Sequence, residues 1–386
     1  MIDKIILWGG FTLKQFDKKK NRKNSNSKKW DRYQSRDILP MWVADMDFES
    51  PACIKSALRK YVDNGIFGYH SEPKGLRDIL KKYLSNKGWN IKKEWIVLTP
   101  SVGAPIYSIY NLIPKNTQVI IPTPIYLNFL KAPKHLGRRI QKLPMVDDRG
   151  RLVIDFKKLS LIAKKNSWLM FVNPHNPGGT VYSKKEIKDL TKIIKEKNIT
   201  VFSDELHCDL ILKKLEHIPL GSMKTIEKNV VAFYSASKTF NVPGLNCAFA
   251  VIPCDKLRKA FRKNAEGISD DANITGLIAL SAAFKKGWKW RDDLIRYLNK
   301  NLETLLNAIE NHKNASPFVP EATYLLWVSL KNPKRKNLQS HFEKYGVGIN
   351  DGIEFGKKNN IRINFATNHQ NIKKASKRIE EALINL

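Results

Sequence analysis

The chain is 386 residues long, with 42% hydrophobic and 27% charged residues; at about 100 to 200 residues per domain it can bury two or three cores, which excludes a disordered chain. Lys and Arg number 68 against 36 Asp and Glu, a net charge of +32, but the excess runs from end to end, as expected for lysine-coated solvated faces rather than a nucleic-acid-reading surface. Cys53, Cys208, Cys247 and Cys254 form neither a paired motif nor a dense framework, which argues against a disulfide scaffold and a zinc site and for a reducing cytoplasm.

The first residues hold only a short apolar stretch, Ile5 to Trp8, and no apolar run reaches about 18 residues, so neither a signal peptide nor a membrane span is expected. Lys14 to Lys29, rich in Lys, Asn and Ser, reads as a mobile arm. A helix is predicted over 51 to 64, with Ser50 as its cap, Pro51 in its first turn and Gly65 as its stop. Strands are then predicted at Trp95 to Leu98, Gln118 to Ile121, Trp168 to Val172, Ile199 to Phe202, Val230 to Tyr234 and Ala248 to Ile252, because each is an apolar run bounded by turn residues. Between them, 184 to 197 has the spacing of a helix opened by a Ser183/Glu186 capping box. Alternation of this kind predicts an α/β domain with a mostly parallel sheet covered on both sides. Past about residue 285 the texture changes to a long charged helix (Trp290 to Asn311), a strand within 323 to 330 and a short strand at Ile361 to Phe365, a smaller α+β unit.

Open α/β sheets bind ligands beyond the carboxyl ends of their strands, and here the residues that follow strands are polar. Ser101 to Gly103 opens a helix whose free N–H groups could cradle a phosphate. Tyr126 offers a ring for stacking, and the tandem Asn-Pro turn 173 to 179 offers the Asn176 amide. Asp204, Glu205 and His207 follow the next strand, where a buried carboxylate needs a partner. Lys238 follows the next, between hydroxyls at Ser235, Ser237 and Thr239, and is a candidate Schiff-base former. Singly, these features also suit a plain turn, a core aromatic or a salt bridge to a lysine. Together they make an inventory that matches pyridoxal 5′-phosphate: a phosphate cradle, a stacking ring, an amide for the phenolic oxygen, a carboxylate for the ring nitrogen and a lysine for the aldehyde.

The strings Asn173-Pro-His-Asn-Pro-Gly-Gly179, Ser203-Asp-Glu-Leu-His207 and Ser235-Ala-Ser-Lys238 resemble the fold-type I pyridoxal-phosphate enzymes of aminotransferase class I/II over nearly the whole chain. Within that superfamily, Leu39-Pro-Met-Trp-Val-Ala-Asp-Met-Asp-Phe48, Gly65-Ile-Phe-Gly-Tyr69 and Asp204-Glu-Leu-His-Cys-Asp-Leu210 resemble the cystathionine β-lyase, or C–S lyase, branch. The resemblance implies a three-layer α/β/α large domain over 46 to 284, a smaller α+β domain over 285 to 386, and an arm over 1 to 45 that joins the small domain. It implies that Lys238 takes the cofactor aldehyde, Asp204 holds the ring nitrogen protonated, Asn176 and His207 contact the phenolic oxygen, and Tyr126 stacks on the ring. Backbone at Val102 and Gly103, with the hydroxyls of Ser235 and Ser237, would take the phosphate; Tyr69 would reach the phosphate of a partner subunit in a homodimer. Arg362 would fork onto the substrate carboxylate, assisted by backbone at Ala44.

Three positions depart from the usual pattern: Asn246 stands where a basic residue is common eight positions after the lysine, Gly178 precedes Gly179 where Thr or Ser is common, and the approach from Phe355 to Arg362 is short. The implied activity is C–S β-elimination from an amino-acid thioether such as cystathionine, with an aminotransferase as the nearest alternative and a regulatory protein retaining the fold as a remoter one; nucleic acid and membrane are not expected partners.

Overall fold

A computed structural model describes residues 13–101, 103–266, 272–335 and 337–386. The stretch Ile5 to Trp8 lies outside the described residues. Seven strands form the large sheet: β1 (Ile96–Thr99), β2 (Val119–Thr123), β3 (Gln141–Pro144), β4 (Trp168–Val172), β5 (Thr200–Asp204), β6 (Val230–Tyr234) and β7 (Ala248–Val251), in the order β1-β7-β6-β5-β4-β2-β3. β7 runs antiparallel to both of its neighbours; every other pairing is parallel. Apolar residues along each strand alternate between two separate cores, for example Val230, Ala232 and Tyr234 on one face against Val231 and Phe233 on the other. Helices Leu76–Ser85, Lys184–Lys197 and Ile274–Lys286 cover the first face; Gly103–Leu112, Asn128–His135 and Asp255–Ala265 cover the second. This is the α/β/α sandwich expected of the fold class.

A third core gathers helices Trp288–Asn307 and His369–Ile384 over a four-stranded antiparallel sheet made of Ala315–Phe318, Leu325–Leu330, Asn360–Asn364 and Asn350–Asp351 in that spatial order. Phe16, Leu39, Met41, Met46 and Phe48 pack into the same core, and Leu39–Pro40 pairs with Val347–Gly348. Among the described residues no helix is long and apolar enough to cross a membrane.

The basic stretch Lys14 to Lys29 is docked rather than mobile. Lys29 is buried and lies 3.2 Å from Asp47 and 3.5 Å from Asp45; Arg22 pairs with the same two carboxylates at 2.8 and 3.0 Å; Trp30 Nε1 donates to Asp47 at 2.8 Å. Composition suggested an arm because these partners are about twenty residues away in sequence. The helix predicted over 51 to 64 spans Ala52–Asp63 with Pro51 at its cap and no side-chain cap; the Ser50 hydroxyl donates to the Asn241 carbonyl instead. The 184–197 helix carries the expected reciprocal bonds between Ser183 and Glu186.

Candidate active site

The carboxyl ends of strands in the large sheet and an inner strand of the small one bring most of the predicted residues together. Lys238 follows β6; its Nζ donates to the Ala44 carbonyl at 2.8 Å, and the buried Tyr324 hydroxyl donates to the same oxygen at 2.9 Å. Burial, with Arg362 nearby, pulls the Lys238 amine down to about 8, against the opposing pull of Asp45 and Asp204. Asp204 ends β5, buried, and accepts one hydrogen bond, from the Leu206 N–H at 3.2 Å. Among the described residues it makes no ion pair with a lysine; burial lifts its carboxyl to about 6.

Arg362 sits on strand Asn360–Asn364 and is 4% exposed. Its Nη1 donates to Asn176 Oδ1 at 3.1 Å, its Nη2 to the Trp42 carbonyl at 2.9 Å and to Asn350 Oδ1 at 2.8 Å, and its Nε is enclosed without a partner. Phe355 lies beneath its guanidinium at 4.5 Å. Desolvation pulls Arg362 down to about 10, which leaves it charged at neutral pH. Tyr126, partly buried after β2, feels both Arg362 and Asp204, and burial raises its hydroxyl pKa. His207 is buried with Nδ1 unpartnered; burial first, then Lys238 and Arg362, hold its imidazole neutral. Five titratable side chains from four segments thus come together, and all five are shifted from their ordinary pKa towards the uncharged form.

The phosphate cradle follows from strand order. Thr99, ending β1, is level with Ala248 of β7, and β7 pairs with β6. Ser235 Oγ donates to the Cys247 carbonyl at 2.7 Å and accepts the Ser237 N–H at 3.0 Å, which ties the hydroxyls after β6 to the start of β7, level with the end of β1 that leads into helix Gly103–Leu112. Val102, predicted as part of this cradle, lies outside the described residues. Tyr69 is not in the cluster: it is fully exposed, with Ile66 and Phe67 exposed beside it.

Two departures gain a physical reason. A Cβ at Gly178 would stand 2.9 Å from both His175 Nδ1 and Leu152 Cβ, and one at Gly179, whose φ is +72°, would stand 2.5 Å from Pro320, so this turn admits only glycine at both positions. Asn246 is exposed with φ +46° in a turn before β7, a role that asks for Asn rather than a cation.

Sequence reasoning missed Asn241. Its side chain accepts the Met46 N–H at 2.9 Å and donates to the carbonyls of Met46 at 3.0 Å and Phe48 at 2.7 Å, which fastens the segment carrying Ala44 to the loop carrying Lys238. Asn364, two residues after Arg362, fastens the same segment by donating to the carbonyls of Val43 and Asp45. Neither has a sequence signal beyond proximity to a predicted site residue.

The donor set suits pyridoxal phosphate: unpartnered nitrogens at His207 and Arg362, a carboxylate with a single backbone bond, a lysine with a lowered pKa, and two hydroxyls after β6. Comparison with known proteins agrees. The family model for aminotransferase class I and II matches residues 36–379. Cystathionine beta-lyase PatB of Bacillus subtilis (strain 168) is 31% identical over 388 residues, covering 95% of this chain and 99% of that protein. A PLP-bound putative aminotransferase from Clostridium difficile 630 superposes with a TM-score of 0.90 at 32% identity, over 95% of this chain and 99% of that one. Cystalysin from Treponema denticola, whose structure contains pyridoxal 5′-phosphate, superposes at 0.90 with 29% identity, over 96% and 98%.

Proposed function

Because the chain belongs to the aminotransferase class I and II family, we propose that it is a pyridoxal-phosphate C–S β-lyase which converts cystathionine, or a similar cysteine S-conjugate, and one water to a thiol, pyruvate and ammonia. The observation that carries the reading is the Lys238 amine, lowered to about 8 and held at 2.8 Å from the Ala44 carbonyl, with Arg362 and Asp204 as its charged neighbours. The relative named cystathionine beta-lyase, which aligns along nearly the whole chain, supports the choice of chemistry.

When bound, the cofactor supplies an aldehyde for the substrate amine and an electron-poor ring that takes up the electron pair released at Cα. Lys238, Ser235, Ser237, Gly103, Asn176, His207, Tyr126 and Asp204 would hold it. Asp204 would meet the ring nitrogen, where a carboxylate would keep the ring cationic. The rest is done by this chain's own side chains. Arg362 offers its unpartnered Nε, and the Nη groups now shared with Asn176, Asn350 and Trp42, to the substrate carboxylate, which fixes the substituents around Cα. Lys238 takes the Cα proton, a task matched by an amine that is part neutral near pH 7 to 8. Tyr126, kept protonated by burial, donates towards the departing sulfur or the Lys238 amine.

A homodimer belongs to the same reading. Tyr69, Ile66, Phe67 and Val62 form an exposed apolar run of the kind that marks an interface, and Tyr69 from one subunit would complete the phosphate site of the other. The deciding test is to supply cystathionine alone, then alanine with a keto acid. Sustained release of pyruvate and homocysteine from the first, with little amino-group exchange in the second, is the expected outcome; exchange faster than thiol release would make this an aminotransferase.

A further inference from the structure

At the end of the large sheet opposite Lys238, the surface carries a groove of about 690 Å³. Its walls are segments that lead into strands: 115–118 and the first residue of β2, 136–140 and the first residue of β3, and Lys164 before β4. These strands are parallel, so their beginnings lie on one edge of the sheet while the catalytic cluster follows the ends on the other.

Four cations, Lys115, Arg138, Arg139 and Lys164, line the groove, and no Asp or Glu does. None of the four has a carboxylate within ion-pair distance among the described residues, whereas Arg22, Arg77, Arg151, Arg258 and Arg378 all do. Arg138 is half-buried, and its Nη2 is enclosed with no hydrogen-bond partner. The neutral residues do not compensate. Gln118 accepts the Lys164 N–H at 2.8 Å, donates to the Ile162 carbonyl at 3.0 Å and bonds to Gln141, so its amide is consumed within the wall.

Four like charges drawn together repel one another, and a multivalent anion relieves all four at once; two adjacent arginines favour the paired oxygens of a phosphoryl group. No aromatic residue lines the groove, so it lacks the stacking platform that single-stranded nucleic acid uses. We propose that this groove binds a compact anion bearing two or more phosphoryl groups, independently of the reaction at the other end of the sheet.

The test is calorimetric titration of the cofactor-loaded enzyme with sodium pyrophosphate at 0.15 M salt, so that the phosphate cradle near Lys238 is already filled. One saturable site per chain is expected. The double variant Arg138→Gln/Arg139→Gln should weaken it at least tenfold, and Arg139→Gln alone, at an exposed position, should weaken it several-fold. The visible spectrum and the rate of pyruvate release should not change in either variant. Lys185→Gln/Lys188→Gln, on the exposed face of a distant helix, removes the same two charges and should change binding less than twofold. Absence of saturable heat, or an equal loss in the distant pair, would overturn the site. A single-stranded RNA oligomer that binds more tightly than pyrophosphate, and is the ligand lost in the arginine variants, would overturn the ligand class.

Discussion

Asp204 and Glu205 leave the same strand end one residue apart, both buried, and meet opposite treatment. Glu205 is enclosed by three donors, Ser203 Oγ at 2.8 Å, the Leu220 N–H at 3.2 Å and the Tyr234 hydroxyl at 2.6 Å, with His217 Nε2, which bonds to the Asn173 carbonyl, 3.3 Å away. Asp204 receives one backbone N–H and, among the described residues, no side-chain donor. A buried carboxylate surrounded by donors is a structural element, while one left short of partners carries an unfavourable desolvation that only a ligand can offset. The same contrast separates Lys87, drawn to Asp209 at 2.7 Å and raised in pKa by it, from Lys238, whose hydrogen bond goes to the Ala44 carbonyl and whose amine is lowered by burial and Arg362. Sites for chemistry in this molecule are where buried charge is under-satisfied.

The contrast breaks most visibly at the lysines. Lys238→Ala should cut thioether cleavage by about 10⁴-fold or more, since it removes both the base and the covalent anchor, and the variant should lose the visible band that borohydride fixes to wild-type protein. Near-wild-type turnover would refute its role.

The two carboxylates should then respond with opposite signs. Asp204→Asn is expected to lower the rate by about 10³-fold. Yet because the folded carboxyl titrates near 6, above its unfolded value, the stability it contributes is present below about pH 4 and lost as pH rises through 6. Above pH 6 the ionised group burdens the fold, so the cofactor-free Asn variant should be more stable than wild type at pH 8, by about 1 to 3 kcal/mol. Glu205→Gln should do the reverse and lose about 2 to 4 kcal/mol of stability by disturbing a satisfied network, while the folded fraction retains most activity. Urea melts at pH 8 on both proteins decide it; destabilisation by both substitutions would erase the distinction.

A smaller effect sharpens it. A neutral amine is the form that attacks an aldehyde, and Lys238 becomes neutral through a pKa of about 8 rather than above 10. Uptake of pyridoxal phosphate by the cofactor-free protein should therefore rise roughly tenfold between pH 7 and 9 and flatten beyond. A rate still climbing steeply above pH 9.5 would mean that Lys238 behaves as an exposed lysine.

How much of this was legible beforehand follows the same physics. The central strands were readable to within one or two residues because full burial demands unbroken apolar runs; Val230 to Tyr234 coincides with β6. β3 was missed because Gln-Lys-Leu-Pro is an edge strand with one buried residue of four, so it carries no apolar run. Nothing in Ala248 to Ile252 marks it as antiparallel. Site residues were legible where strand ends and the family motifs placed them: Lys238, Asp204, Asn176, Tyr126 and Arg362 converge. Partners set by tertiary pairing were not, and so the docking of Lys29 on Asp45 and Asp47 and the enclosure of Glu205 escaped notice.

Asn241 is the sharpest case of that blindness and gives the smallest predicted effect. Three residues past Lys238, with φ +56°, it occupies a backbone conformation that Asn or Gly tolerates. Its three hydrogen bonds to Met46 and Phe48 hold the segment whose Ala44 carbonyl meets Lys238 and whose Trp42 carbonyl meets Arg362. Asn241→Gly keeps the backbone conformation and removes all three bonds, leaving Lys238 and Arg362 in place but their shared support loose. The substrate carboxylate should then be held less well before chemistry begins, so KM should rise by about five- to tenfold while kcat changes less than threefold. A fall in kcat as large as that of Asp204→Asn would instead place Asn241 in contact with the reacting atoms. An unchanged KM would show that Asn364, which donates to Val43 and Asp45 on the same segment, suffices to hold it alone.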